Sequence, residues 1–235
     1  MSDWMNERKE NRLYQEIYAE EEISARSYNL AIGGVVLYGI LMNVGLCAVV
    51  GDKIAYVNPI LFFVTYVICC ICGTVLSSKS DSALVSFLGF NLVAVPVGLV
   101  VSAAVSAYLG AGMADVVVQA LVITALITGF MVAFSAFKPE FFEKLGGVLL
   151  ACLLGLVVAE LVLLLFGVDQ IITAWIGAAV FSVYIGYDFY KAQMYPKTLD
   201  NAVDSALDIY LDVINLFLRI LRILGSRGGS SSRRR

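Results

Sequence analysis

Near the end of this chain, carboxylates recur at helical spacing. At about 100° per residue, Asp204, Asp208, Asp212, Asn215, Arg219 and Arg222 fall within an arc of about 80° on one helical face. Leu207, Leu211, Ile214, Leu218 and Leu221 occupy the other faces. Acids come first and arginines last, the order that suits the helix macrodipole. A further acid, Asp188, stands in Gly186-Tyr187-Asp188-Phe189-Tyr190, where the preceding apolar run ends. A polar connection is expected between them, from about Lys191 to Asn201, and Asp188 and Asp212 are nearly equidistant from its middle near Asp200. In an antiparallel helix pair these two carboxyls lie at similar depth. Two carboxyls at one level in a low-dielectric site cannot both ionise cheaply, so they share a proton. Such a pair is a pH switch made without histidine, and the chain has none.

The competing reading is an amphipathic helix lying on a membrane surface with its acids solvated. Interfacial helices carry lysine and arginine on the polar face, whereas this face presents three aspartates before any arginine.

The elements that must position these acids are membrane spans. Hydrophobic residues make up 60% of the 235 and charged residues 15%. Soluble domains average near a quarter charged, so the composition is that of an integral membrane protein. Residues 1–28 read as a polar N-terminal arm, either a short cytoplasmic helix or flexible, and with no basic-then-apolar leader the first span is expected to serve as its own insertion signal. With net charge −3 and basic residues at segment ends, a nucleic-acid partner is not expected. The five cysteines, Cys47, Cys69, Cys70, Cys72 and Cys152, sit inside apolar runs and read as small hydrophobes rather than a metal site.

Six apolar segments are long enough to span, since about 20 residues cross the hydrocarbon core. They run 29–50, 57–76, 83–109, 116–137, 145–166 and 171–190. The third contains Pro96, tolerated where neighbours re-satisfy the backbone. The polar-striped helix is the seventh, ending at Gly225, and 226–235 read as a Gly/Ser/Arg tail. Arg8, Lys9, Arg12, Arg26, Lys79, Lys138, Lys144, Lys191 and Lys197 fall on one side and only Lys53 on the other, which predicts a cytoplasmic N-terminus. The seventh segment either re-enters or carries Arg233–Arg235 to the far side. Small residues such as Gly73, Gly89, Gly177 and Gly186 permit close helix approach. The fold class expected is an all-α integral membrane protein, a seven-helix bundle over 29–225 with the polar-striped helix at its centre. The usual catalytic motifs are missing, and no enzyme and no tightly bound cofactor are expected.

An ionisable residue at bilayer depth is a functional-site hypothesis. Asp188 and Asp212 are the leading pair, both as pH sensor and as oxygen ligands for a hard cation such as Ca²⁺, which competes with protons for the same atoms. Asp208, one turn earlier, suits an entrance or latch acid. Glu160 either lines the pathway or is neutral and hydrogen-bonded to a neighbouring helix. Arg219 and Arg222 either pair with acids or snorkel to the interface, and snorkelling is the stronger expectation.

At Ile185–Lys191, Ala206–Phe217 and Leu221–Gly225 the chain resembles the transmembrane Bax inhibitor motif family, as it does at Tyr28-Asn29-Leu30 and Gly146-Gly147. The resemblance covers nearly the whole chain, which without a Pro-rich N-terminal region looks like a bacterial member, implying the bacterial inner membrane. It implies a seven-helix fold with the last helix central, and a pH-sensitive Ca²⁺ leak gated by two aspartates at the positions of Asp188 and Asp212. It further implies a basic latch at the cytoplasmic end of the second helix, for which Lys79 is the approximate candidate, a lysine replacing the bidentate pairing of arginine with a point charge. The partners expected are the lipid bilayer, Ca²⁺ and protons. The alternative is an interaction module that regulates a membrane protease or cell-death partner, its acids specifying helix packing. A membrane aspartyl protease is the weakest alternative, since Gly186-Tyr187-Asp188 only partly resembles the motif such enzymes present.

Overall fold

The computed structural model describes residues 22–51, 53 and 58–231. Among them are eight α-helices and no strand: α1 Ala25–Val49, α2 Pro59–Lys79, α3 Ala83–Gly110, α4 Ala114–Phe137, α5 Pro139–Glu143, α6 Gly146–Leu165, α7 Ile171–Met194 and α8 Leu199–Ser231. Six of these, α1 to α4, α6 and α7, are long and apolar enough to cross a membrane. The fold is therefore an all-α integral membrane fold. The count exceeds the expected seven by α5, a five-residue helix that Pro139 opens in the loop after α4. Proline's fixed φ and missing N–H suit a first helical turn.

Local chemistry sets the helix ends. Ser24 Oγ accepts the Ser27 N–H at 3.1 Å and starts α1 four residues before the expected Asn29. The last part of the expected polar arm is thus helical, with Tyr28 fully buried, while residues 1–21 lie outside the described residues. Asn58 caps α2, its Oδ1 accepting from the Ile60 and Leu61 amides at 2.9 and 3.2 Å. Gly112 (φ 74°) and Gly167 (φ 64°) close α3 and α6. In both turns the next residue's N–H reaches back five positions, Met113 to the Tyr108 carbonyl and Val168 to the Leu163 carbonyl. This is the Schellman arrangement, whose left-handed position favours glycine.

Two further boundaries move. The connection between α7 and α8 is only 195–198, because α7 continues past Tyr190 to Met194. α8 passes through Gly225 and ends at Ser231, so 226–231 are helical rather than tail; 232–235 lie outside the described residues. An interior glycine costs a helix only about 1 kcal/mol, too little to stop one that is packed on other faces.

The chain forms two compact units, 1–103 with 191–210, and 104–190 with 211–235. In the first, Phe90, Leu207 and Tyr210 are buried, and the Phe90 and Tyr210 rings meet at 5.3 Å. Gly39 admits those rings: a Cβ there would lie 2.8 Å from the Tyr210 ring and 2.9 Å from Phe90. Gly73 of α2 and Gly89 of α3 face each other's backbone, each Cβ position only 2.7 Å from the other's carbonyl oxygen. In the second unit Phe142 of α5 is fully buried against Gly186, and Leu216 and Leu221 of α8 are also buried. Van der Waals packing over small residues is what associates helices in lipid, where the solvent is as apolar as the side chains.

Candidate functional site

Each unit contains part of α8, and in each, side-chain hydrogen bonds run to that part. In the first unit its opening turns are fixed by hydroxyls. Ser77 of α2 donates to Asp204 Oδ1, and Ser86 of α3 donates to Asp200 Oδ1 at 2.5 Å and lies 3.3 Å from the Ser77 carbonyl. The Tyr28 hydroxyl donates to the Ala192 carbonyl at 3.0 Å and reaches the Asn201 carbonyl at 3.4 Å and Ser205 Oγ at 3.3 Å. Lys197, in the connection, sits 4.6 Å over the Tyr28 ring and donates to the Gln193 carbonyl at 2.7 Å. Burial holds its ammonium below the ordinary lysine value. Farther along α8, the Tyr210 hydroxyl donates to Asn43 Oδ1 at 3.0 Å.

The acids singled out from the sequence divide among these surroundings. Asp208 pairs with Lys191 of α7 at 3.5 Å. Asp188 and Asp212 are buried, 8% and 7% exposed, both in the second unit. Along the chain, Asp188 stands three residues before Lys191 on α7 and Asp212 four residues after Asp208 on α8, each about one helical turn away. The connection runs 195–198, so its middle lies at 196–197 rather than near Asp200, and Asp188 and Asp212 are not equidistant from it. Lys79 is exposed at the end of α2 and makes no salt bridge among the described residues; Ser77, two residues earlier, is the side chain of that end that reaches α8.

Two expectations need correction. Arg219 does not snorkel: both its terminal nitrogens bond the two carboxylate oxygens of Glu160 on α6, Nη2 to Oε2 at 2.9 Å. Glu160 is accordingly an ion-pair partner rather than a neutral hydrogen-bonded acid. A planar guanidinium can satisfy a carboxylate at two points, which outweighs the strain of reaching water from mid-helix. Arg222 turns to Gln170, donating to its Oε1 at 2.8 Å.

The roles of Ser77, Ser86, Asp200 and Asp204 escaped the sequence reading. Ser77 and Ser86 each stand beside an apolar run, Val75-Leu76 and Ala83-Leu84-Val85, and a hydroxyl so placed was the available signal.

Chemically, the α7–α8 face offers carboxylate oxygens, the donor type for a hard cation. Among the described residues no three His, Cys, Asp or Glu side chains converge to hold a metal ion.

A buried polar helix served by apolar spans defines the class: a polytopic α-helical membrane protein with an ionisable interior. The chain belongs to the Bax inhibitor family, because the family model described as "Inhibitor of apoptosis-promoting Bax1" matches residues 22–229. An uncharacterized protein of Helicobacter pylori is 32% identical over 109 residues, 46% of each chain. The Escherichia coli "Inner membrane protein YbhL" is 31% identical over 157 residues, 62% of this chain and 65% of that one. The Schizosaccharomyces pombe "Bax inhibitor 1" is 33% identical over 115 residues, 48% of this chain and 43% of that one. The chain spans about half the length of the curated relatives it matches, 46% of the Helicobacter protein.

Proposed function

We propose that the protein is a pH-sensitive Ca²⁺ leak channel of the bacterial inner membrane, N-terminus cytoplasmic, gated by Asp188 and Asp212. The observation that supports this most is the burial of two acids at helical positions on successive helices, Asp188 of α7 and Asp212 of α8. When one proton serves both carboxyls, α7 and α8 are held together and the path beside α8 is closed. When both are ionised they repel, and the oxygens become available to a divalent cation. Asp208, paired with Lys191, is the candidate entrance or latch acid. The inner-membrane assignment draws on the name of the Escherichia coli relative. The test is Ca²⁺ efflux from whole cells. Asp212→Asn is expected to abolish the pH dependence, and an Asp212→Asn variant indistinguishable from wild type at every pH would sink the reading.

A second reading has one observation in its favour, the family's description as an inhibitor of Bax1, which names a protein target. On that reading the chain is an interaction module acting on a cell-death or membrane-protease partner. A stoichiometric partner captured from membranes, with no ion flux, would select it.

A further inference from the structure

Arg219 carries a fixed positive charge on the same face of α8 as Asp212. The two are seven residues apart, so they lie within about 20° of each other and about 10 Å apart along the axis. A divalent cation approaching Asp212 along this face from the far end would meet that charge. The guanidinium is instead turned toward α6 and α7. Its aliphatic stem crosses Gly177, where a Cβ would come 3.0 Å from Nε and 3.2 Å from Cδ. Its head lies 5.9 Å from the Phe181 ring centroid and takes both Glu160 oxygens. Gln170 extends the arrangement, donating to the Glu160 carbonyl at 3.3 Å while accepting from Arg222. Glycine at 177, the aromatic face and the acid act together: one makes room, one covers, one neutralises.

We propose that Glu160 is a positioning residue for the leak, the counter-ion that keeps Arg219 off the acid-bearing face of α8 and cancels its charge. This deepens the proposed function and rests on it. A merely structural ion pair makes a different forecast. Breaking such a pair from either side leaves one group buried and uncompensated, so both single variants should be damaging. A positioning role is asymmetric, because only loss of the acid releases a blocking charge.

The experiment uses the full-length protein in proteoliposomes, comparing Ca²⁺ flux in wild type, Glu160→Gln, Arg219→Met and the double variant. Terbium(III) binding to each in detergent, read by tyrosine-sensitised luminescence, accompanies it, and gel filtration confirms folding. Glu160→Gln is expected to lower flux and terbium affinity by at least about ten-fold, the effect of an uncompensated charge about 10 Å from a multivalent cation. Arg219→Met should retain flux, and the double variant should recover to within about two-fold of wild type. Should Glu160→Gln fail to fold, the double variant measured against Arg219→Met and wild type still decides, because the inference requires all three to leak alike. A leaking wild type whose Glu160→Gln variant leaks equally, or a double variant that stays as impaired as Glu160→Gln, overturns the role of Glu160 alone. A wild type with neither leak nor terbium binding overturns the leak itself, and this role with it.

Discussion

α6 and α8 invert the rule for soluble proteins. α6 is almost wholly apolar, yet only Leu149 and Leu156 are buried, while Val157, Val158, Leu161, Leu164 and Leu165 face outward. α8 carries aspartates and arginines along its length and is the more deeply buried, with Asp204 at 2% exposure beside fully buried Ala206, Tyr210 and Leu216. In water the burial of apolar surface drives this choice. In lipid that drive vanishes, and what must be hidden is the polar helix, whose groups need partners the bilayer does not supply. The one acid of α6 obeys the same logic by turning inward to Arg219 of α8.

The hardest way to break this contrast is to put a charge on the outward face of α6. Val157→Arg should cost about 2.5–3.5 kcal/mol of insertion free energy. It should appear as a sharp loss of membrane-inserted protein, and an unchanged yield and melting temperature would contradict the assignment of that face to lipid. The converse test removes a polar partner from α8. Ser77→Val deprives buried Asp204 of a donor and should destabilise by about 1–3 kcal/mol in a detergent melt. A shift below about 0.3 kcal/mol would mean that the hydroxyl is dispensable. Tyr210→Phe is gentler, since Asn43 sits on the other side of the lost bond; about 1 kcal/mol is expected.

The smallest effect concerns Lys197. Burial lowers its folded pKa from 10.5, so the unfolded chain binds the proton more tightly. Below the folded pKa both states are protonated and the penalty is fully present. Between the folded and unfolded values the unfolded state holds more protons, and stability rises with pH. Melts approaching pH 10.5 should climb for wild type and lose that slope in Lys197→Met; identical slopes would remove Lys197 as their source.

Continuous apolar runs announce spans whatever they touch, and four of the six expected spans begin and end within three residues of the observed helices. The other two miss one end by four residues: α1 is drawn back to Ala25 by its Ser24 cap, and α7 runs on to Met194. The polar stripe of α8 was equally plain, because helical spacing is a property of one segment. Partnership is not. Nothing in Glu160 names Arg219 59 residues away, and nothing in Ser77 names Asp204, because such pairs depend on how helices pack across the chain. The C-terminal end of α8 was missed for a related reason: Gly225 reads as a stop locally, but against Tyr108 it is a packing position, its missing side chain giving that ring room.

The most direct test of the central claim is Ca²⁺ flux into proteoliposomes from about pH 5 to about pH 8, with wild type beside Asp188→Asn and Asp212→Asn. The account predicts a pH-dependent flux in wild type that both substitutions alter, since each removes one half of the carboxyl pair. No flux at any pH from folded wild-type protein, or a flux that neither substitution changes, would contradict it.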